Sequence, residues 1–395
     1  MPASVDVHAA PEIARDGAQR GFAVRHEALL FPIAAFIATR LALLVFAWCS
    51  LRLLPVAPNF LPESRAHPVL AAFCHFDCGH YYQISSRGYS IPDETKWFPL
   101  FPLLGALVRI CSGLSPFYAL LLVANLMALG AYICIYQLFS ALSDRSSARA
   151  GLLLFAAYPF AFFHSSIYAE STAIFFTALT LWLAEQKRWW LSSIGLGLAM
   201  LARHISAVAA ASVLAFHIAE RGTSPKKLLW NRAMPSFALV ALIFSSFLIY
   251  CHVRFGDALV FVAQRRDVNS MGVGPYWLER NWWSAAHAFY SEQLANEPWL
   301  AMYVVISLWP AAGLIGLAMR REWRALLPAG ALLLAVYWSI GVAGLGRYSA
   351  SLWPGYLALG AFCAKRPSLN FILLFSCALL QGLFFHLWIH GFSIF

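Results

Sequence analysis

Apolar residues run through this chain in long stretches that are separated by short polar turns. An α-helix of about 20 apolar residues spans the hydrocarbon core of a bilayer, so each stretch reads as a candidate transmembrane helix. The pattern predicts an all-α polytopic membrane protein with roughly eleven transmembrane helices. The predicted spans lie near 29–54, 116–142, 150–166, 171–184, 190–203, 205–219, 233–253, 299–319, 325–342, 349–364 and 369–388.

The positions of Lys and Arg predict which side of the membrane each turn occupies. When the N-terminal tail is placed inside, every inner turn carries basic residues, as at Lys187 and Arg188. This positive-inside pattern persists only if residues 98–112 do not cross the membrane. We therefore expect residues 1–28 to form a cytoplasmic tail and residues 29–395 to form a single transmembrane domain.

The segment that does not cross has its own predicted structure. It begins Phe98-Pro-Leu-Phe-Pro, so Pro99 and Pro102 stand in or near the first turn of a helix, where proline is tolerated. We expect a juxtamembrane helix on the outer face. Two long external loops result, at about 55–115 and 254–298.

Composition supports this assignment and excludes some functions. The chain has 395 residues, of which 61% are hydrophobic and 12% charged, well outside the range of soluble domains. The net charge of +10 is spread over short turns, which argues against a nucleic-acid partner. The 8 cysteines have no metal-finger spacing and lie mostly in apolar stretches, so a disulfide framework is not expected. Short loops without a glycosylation acceptor favour a bacterial inner membrane over the endoplasmic reticulum.

Asp77 is the first candidate for chemistry. It is the one carboxylate in the polar and aromatic stretch from Cys74 to Tyr89 of the first external loop. A lone acid among aromatic residues beside a membrane is partly desolvated, which suits a proton acceptor. The alternatives are a helix cap and an ordinary surface charge.

Glu170 is the second candidate, because it lies where one predicted span ends outside and the next begins. It therefore faces the same side as Asp77. An acid at that position can also serve only to stabilise the N-terminus of the following helix. The spacing is compatible with either use.

Three basic side chains have the same predicted outer placement. Arg203 and His204 stand where two apolar stretches meet, and Arg347 stands between glycines in Gly344-Leu-Gly-Arg. Such groups are costly at this depth unless they line a wet cavity, so they are candidates for binding a phosphate or a lipid headgroup. Snorkelling to the interface is the alternative for both arginines. Arg40, well inside the first span, stays unassigned.

Two further groups have a competing structural interpretation. The Cys and His residues between Cys74 and His80 can ligate zinc in principle, but their spacing does not build a familiar closed site, and no metal is expected. Trp277, Trp282 and Trp283 lie in the second external loop. Tryptophans at this level are usually interfacial anchors, although aromatic platforms also stack on sugars.

Several motifs along the chain occur in the same order as in a known family. Residues 76–81 with 88–89 are similar to a Trp-Asp-x-x-x-Tyr pattern followed by Gly-Tyr, and residues 97–102 are similar to Phe-Phe-Pro-Leu-Tyr-Pro. Tyr-Ala-Glu-Ser at 168–171 is similar to Tyr-Ser-Glu-Ser, Ala-Arg-His at 202–204 to Thr-Arg-Ser, and Phe-Gly-Asp-Ala-Leu-Val-Phe at 255–261 to Phe-Gly-Asp-Pro-x-x-Phe. Arg-Tyr at 347–348 with a downstream proline at 354 is the last match. These motifs in this order resemble those of the PIG-V-type mannosyltransferases.

The resemblance implies a GT-C-type membrane glycosyltransferase that takes a hexose, with mannose the family's best-known donor sugar, from a polyprenyl phosphate. In an inverting transfer to a lipid or glycan acceptor on the external face, Asp77 would be the general base. Arg203 or Arg347 would hold the phosphate, and Glu170 would orient the acceptor or share the proton. The substrate-binding set expected from the matched motifs is Arg203, His204, Arg347, Tyr81, Tyr168 and His80.

The chain also departs from the family pattern, and other functions stay open. Phe76 replaces the usual Trp, and His75, His80 and His204 are not typical, so the sugar and the acceptor are both undetermined. No cofactor is expected besides the lipid-phosphate sugar, and membrane lipids are the remaining partner. One alternative is a transporter or flippase for a lipid-linked sugar, which the absence of an internal sequence repeat disfavours. The other is a non-catalytic scaffold of the same fold.

Overall fold

The part of the chain that the structure describes is all-helical, without a strand. This computed structural model describes residues 9–54, 66–222, 233–269, 295, 300–340, 344–392 and 394, with the backbone alone at 9–26, 233, 265–269 and 338–340. The helices, in chain order, are α1 (Ala9–Leu53), α2 (Pro68–Ala71), α3 (Cys78–Arg87), α4 (Leu100–Ser112), α5 (Pro116–Leu142), α6 (Arg145–Ala157), α7 (Glu170–Glu185), α8 (Trp189–Ala202), α9 (Ala209–Arg221), α10 (Ala233–Phe255), α11 (Val260–Asn269), α12 (Ala301–Met319), α13 (Leu327–Ile340), α14 (Leu345–Ser349), α15 (Tyr356–Ala364) and α16 (Pro367–Ile389). Short 3-10 turns lie at Pro92–Lys96, Ala161–His164, His204–Val208, Arg321–Leu326 and Trp353–Gly355.

Five of the described helices are long and apolar enough to cross a membrane. They are the Glu27–Leu53 part of α1, α5, the Met234–Phe255 part of α10, α12 and α16. Their lengths of 19 to 27 residues match what a bilayer core requires. Together with the composition, these helices make the chain an integral membrane protein.

The prediction of eleven spans is confirmed only in part. The other six predicted stretches each contain a helix, namely α6, α7, α8, α9, α13 and α15. These helices have 9 to 16 residues. A helix of 16 residues is about 24 Å long, shorter than the ~30 Å hydrocarbon core. Crossing by these six segments stays a prediction.

A close contact between two helices positions the C-terminal part of the bundle. Helices α6 and α15 approach backbone to backbone at Gly151 and Gly360. An added Cβ at Gly151 would lie 2.6 Å from the Tyr356 carbonyl oxygen, and one at Gly360 would lie 2.6 Å from the Gly151 Cα. Small residues allow this approach, as they do at many helix interfaces in membranes. The contact fixes α15 and the short helix α14 that precedes it.

The segment that the sequence predicts as a juxtamembrane helix is helical. Helix α4 begins directly after Pro99, in agreement with the expected place of the prolines. Phe101 on one side is fully buried, whereas Leu103, Leu107 and Ile110 form an exposed apolar stripe on the other. Such a stripe suits a helix at a membrane surface. The location of α4 on the outer face stays a prediction.

The beginning of the predicted second loop packs on the first. Helix α11 follows α10, and Phe261 contacts Phe98 edge to face at 5.3 Å between ring centroids. Phe247 of α10 completes this cluster at 5.2 Å from the Phe98 ring. The three tryptophans at 277, 282 and 283 lie outside the described residues.

Candidate functional site

The backbone around Asp77 is a tight turn that leads into α3. The turn is anchored on the loop before α7, because the Ile167 amide donates to the Phe73 carbonyl at 2.9 Å. The Tyr168 hydroxyl donates to the His75 carbonyl at 3.0 Å, and the Asp77 amide donates to that hydroxyl at 3.2 Å. These two hydrogen bonds of Tyr168 therefore fix the position of Asp77 relative to the start of α7.

A disulfide bond joins Cys74 and Cys78 across this turn. This bond corrects the expectation, drawn from the sequence, that the cysteines are not paired in disulfides. The expectation failed because the three residues between them form a turn that brings the two sulfurs together. The bridge also uses both thiols, which removes the thiolate pair of the zinc alternative. Among the residues that the structure describes, no group of three or more His, Cys, Asp or Glu side chains has metal-binding geometry.

The Asp77 carboxylate does not cap the helix that it precedes. Its side chain makes no hydrogen bond to the first turn of α3. Instead, one oxygen accepts a hydrogen bond from Nη1 of Arg347 at 2.9 Å. The Asp77 side chain keeps 33% of its surface exposed. The helix-cap alternative is therefore wrong, and the acid is an accessible member of an ion pair.

Glu170 is the first residue of α7 and is almost completely buried, with a side-chain exposure of 2%. One of its oxygens, Oε1, contacts both candidate arginines. Nη1 of Arg203 lies 2.5 Å from that oxygen, and Nε of Arg347 lies 3.2 Å from it. Its position in the first turn also stabilises the helix dipole, so the structural role and the site role coexist.

Arg347 is the centre of the resulting charge cluster. Helix α14 places it between Asp77 and Glu170, and Nη2 donates to the Tyr348 hydroxyl at 3.1 Å. Its guanidinium carbon also lies 5.2 Å from the ring centroid of Tyr168. The guanidinium carbon of Arg203, the residue that follows α8, lies 4.9 Å from the ring centroid of Tyr348. Two carboxylates and two guanidiniums alternate, so their formal charges cancel.

Buried tyrosines surround the cluster. Tyr81 packs against Tyr168 with 6.2 Å between ring centroids, and burial, followed by the charges of Glu170 and Asp77, raises its pKa above the ordinary value. Tyr348 stacks on Tyr337 at 5.2 Å. Tyr337, Tyr348 and the disulfide were not among the predicted site residues. The Arg-Tyr dipeptide at 347–348 was the available signal for Tyr348.

The two candidate histidines occupy different places. The His80 ring stacks on Trp97 at 3.6 Å beside the cluster, and burial lowers its pKa, an effect that Asp77 partly opposes. The His204 ring instead stacks on Phe98 at 5.1 Å, in the aromatic cluster that joins α10 and α11. A substrate-binding role for His204 stays a prediction. Asp77, Glu170, Arg203 and Arg347 do come together, with Tyr81 and Tyr168.

Comparison with known proteins gives a distant likeness. No protein-family model matches the chain, and no similar curated protein is found. The solved structures that resemble it include the Archaeoglobus fulgidus oligosaccharyltransferase in complex with Zn and sulfate, with 17% identity and a TM-score of 0.47 over 80% of this chain and 48% of that one. They also include the archaeal oligosaccharyltransferase AglB from the same organism with an inhibitory peptide and a dolichol-phosphate, with 14% identity and a TM-score of 0.41 over 90% of this chain and 56% of that one.

This chain spans about half the length of these structural neighbours. TM-scores this low do not support an inference about function. The geometry of the site itself is therefore the evidence for what it does. The described fold and the site define an integral membrane protein, helical wherever the structure describes it, with a charge-balanced, tyrosine-lined cluster. Of the two acids in this cluster, Asp77 is the more accessible.

Proposed function

We propose that this chain is a membrane glycosyltransferase that moves a hexose from a polyprenyl phosphate to a lipid or glycan acceptor. The observation that carries the proposal is the division of labour between the two acids. Glu170 is buried and contacts both arginines, whereas Asp77 is partly exposed and contacts Arg347. The Glu170 carboxylate thus holds the two arginines in position, and the Asp77 carboxylate is accessible to a substrate.

The proposed reaction inverts the anomeric centre in one displacement. Asp77 takes the proton from the acceptor hydroxyl as its oxygen attacks the anomeric carbon of the hexose. The bond from that carbon to the phosphate oxygen breaks, and the phosphate leaves with the bonding electron pair. Arg347 and Arg203 stabilise the negative charge that develops on the phosphate.

The ion pair between Asp77 and Arg347 is then a resting arrangement. An incoming donor phosphate competes with Asp77 for the Arg347 guanidinium. When the phosphate binds, the carboxylate is released next to the reacting hydroxyl. Glu170 stays in place and keeps Arg347 and Arg203 directed at the phosphate, so its role is to position the cations.

The proposed face is the external one, the periplasmic side of a bacterial inner membrane, with the endoplasmic reticulum as the second choice. The positive-inside pattern of the sequence supports an external location of the Asp77 segment. The disulfide between Cys74 and Cys78 supports the same side, because disulfides persist in oxidising compartments. The roughly eleven spans and mannose as the sugar belong to this proposal.

The test is transfer from a labelled polyprenyl phosphohexose by the protein reconstituted in liposomes. The wild type is expected to form a new glycosidic product, and Asp77→Asn is expected to lower kcat by about 10²- to 10⁴-fold, the usual contribution of a general base. Asp93→Asn is the matched control, since Asp93 lies near Asp77 in sequence and pairs with Lys96 at 2.5 Å. Undiminished transfer by Asp77→Asn would remove Asp77 as the base.

The same assay separates the other functions. Movement of the labelled lipid across the bilayer without a glycosidic product would make the chain a flippase. Neither transfer nor movement, with full folding, would make it a scaffold.

A further inference from the structure

The turn that carries Asp77 is closed by an unusually local cross-link. Cys74 and Cys78 enclose His75, Phe76 and Asp77, and both cysteines are nearly inaccessible, at 2% and 1% exposure. The entropy that a disulfide removes from the unfolded chain grows with the length of the closed loop, so a loop this short contributes less to overall stability than a long one. The cross-link also restrains the backbone of the three residues that it encloses.

The backbone inside the bridge has a conformation that needs support. Phe76 has φ of 50°, in the left-handed region that bulky side chains rarely adopt. Residues in such conformations persist where the surroundings hold them, and they concentrate at functional sites. Phe76 is also 41% exposed, so burial of this residue does not explain the strain.

The hydrogen bonds of the turn link this strained residue to the carboxylate. The Cys78 amide donates to the His75 carbonyl at 3.2 Å, and the Gly79 amide donates to the Phe76 carbonyl at 3.1 Å. The Asp77 carbonyl accepts from the His80 amide at 3.0 Å. Asp77 thus stands between a left-handed residue and the first turn of α3, and the bridge joins the two ends of this arrangement.

We propose that the Cys74–Cys78 disulfide is a positioning element that holds the Asp77 carboxylate in reach of Arg347 and of the acceptor, so that transfer needs the oxidised turn. This inference rests on the proposed function. Reduction frees Phe76 to return to an ordinary backbone conformation, which moves the residue that follows it. Transfer is then slow until the outer segment reaches an oxidising compartment.

The first experiment compares the wild type with Cys74→Ser/Cys78→Ser. The double variant is expected to lose about 10- to 100-fold in kcat, the scale of a misplacement of about 1 Å, with no rise in the KM of the lipid donor, because the arginines that bind it are retained and lose a competing carboxylate. A matched control is Cys49→Ser/Cys111→Ser, which removes the two exposed free cysteines. Wild-type kcat in Cys74→Ser/Cys78→Ser would overturn the inference.

The second experiment uses reversibility, which a purely structural defect would not show. A dithiol gives two electrons and two protons to the Cys74–Cys78 sulfurs and becomes a cyclic disulfide itself. Treatment continues until maleimide labelling of the denatured protein rises from the 6 free cysteines to all 8. Activity is expected to fall on reduction and to return on reoxidation, and unchanged activity with 8 labelled thiols contradicts the inference.

A third measurement does not depend on activity. Hydrogen exchange of the amides at 76–81 is expected to accelerate in the reduced protein and in Cys74→Ser/Cys78→Ser, with unchanged exchange in α5. No acceleration would overturn the positioning role even if the protein is not a transferase. Conversely, acceleration together with no transfer by the oxidised wild type would remove the proposed function and leave the effect of the bridge on the turn established.

Discussion

Arg347 contacts Asp77 at 2.9 Å although 270 residues separate them in the sequence. The contact joins the turn after the first long helix to a short helix near the end of the chain. It is also the point at which the proposed donor phosphate and the proposed base meet, because both are partners of the same guanidinium. The competition between them has a measurable consequence.

Asp77→Asn is expected to bind polyprenyl phosphate without a sugar more tightly than the wild type. Removal of the negative charge leaves Arg347 free of its competing carboxylate. Because Asp77 is partly exposed and screened, the gain is expected to be about 2- to 5-fold in Kd, the value of an exposed ion pair. Equilibrium binding of the labelled lipid phosphate measures it, with Asp93→Asn as the control. Weaker binding would mean that Asp77 helps to hold the donor.

Glu170→Gln is expected to destabilise the protein strongly. The substitution leaves two guanidiniums, Arg203 and Arg347, without the carboxylate that they share in a buried place. Breaking a buried ion pair on one side costs about 3–5 kcal/mol, which predicts a fall of Tm by several degrees. Thermal unfolding in detergent checks this, with Glu185→Gln at the other end of α7 as the control.

The double variant Glu170→Gln/Arg203→Gln tests the same pair more sharply. Removing Arg203 together with Glu170 deletes one of the uncompensated charges. The double variant is therefore expected to be more stable than the sum of the two single changes predicts. Additive losses of Tm would show that Glu170 and Arg203 do not stabilise each other.

Some of this site was predictable from the sequence because the signals were local. The positive-inside pattern predicted the outer side of the membrane for Asp77, Glu170, Arg203 and Arg347. The order of the matched motifs identified the same four residues as candidates for the site. The pairing was not predictable, since which arginine contacts which acid depends on helix packing such as that at Gly151 and Gly360. That packing appears in the chain only as two glycines in apolar stretches.

The disulfide and the short helices are the other departures. The spacing of Cys74 and Cys78 is also that of two residues on one face of a helix, where no bridge is expected, and the turn that joins them depends on tertiary contacts with Tyr168. Hydropathy likewise could locate the apolar helices, but turns end them early, as after Ala157 and after Ala202, where Arg203 of the site follows. The predicted spans therefore outnumber the long apolar helices among the described residues.

Arg40 gains partners that the sequence could not indicate, and they give a prediction. Its guanidinium donates to the Tyr132 hydroxyl and to the Ser165 hydroxyl, each at 2.6 Å. Arg40→Ala leaves both buried hydroxyls without this donor, at a cost of about 1–3 kcal/mol for an unsatisfied buried group. A lower Tm is expected, whereas Arg52→Ala, near the exposed end of the same helix, is the control. An unchanged Tm for Arg40→Ala would show that the network does not support the fold.

His75 predicts how stability changes with pH. Burial, and then the charge of His390, lowers the pKa of His75 from 6.5 to about 4. Between pH 6.5 and about 4 the unfolded chain binds a proton at this position that the folded protein does not, so this contribution to stability is complete above pH 6.5 and is lost progressively on acidification. His75→Phe keeps an aromatic ring beside Trp388 and removes the titration. The fall of Tm between pH 7 and pH 4.5 is therefore expected to be smaller in His75→Phe than in the wild type, by the amount that the titration of one histidine contributes.

His67→Phe, at an exposed position of the same loop, is the control for removing a histidine. An equal fall of Tm in the wild type and in His75→Phe would show that His75 does not couple folding to pH.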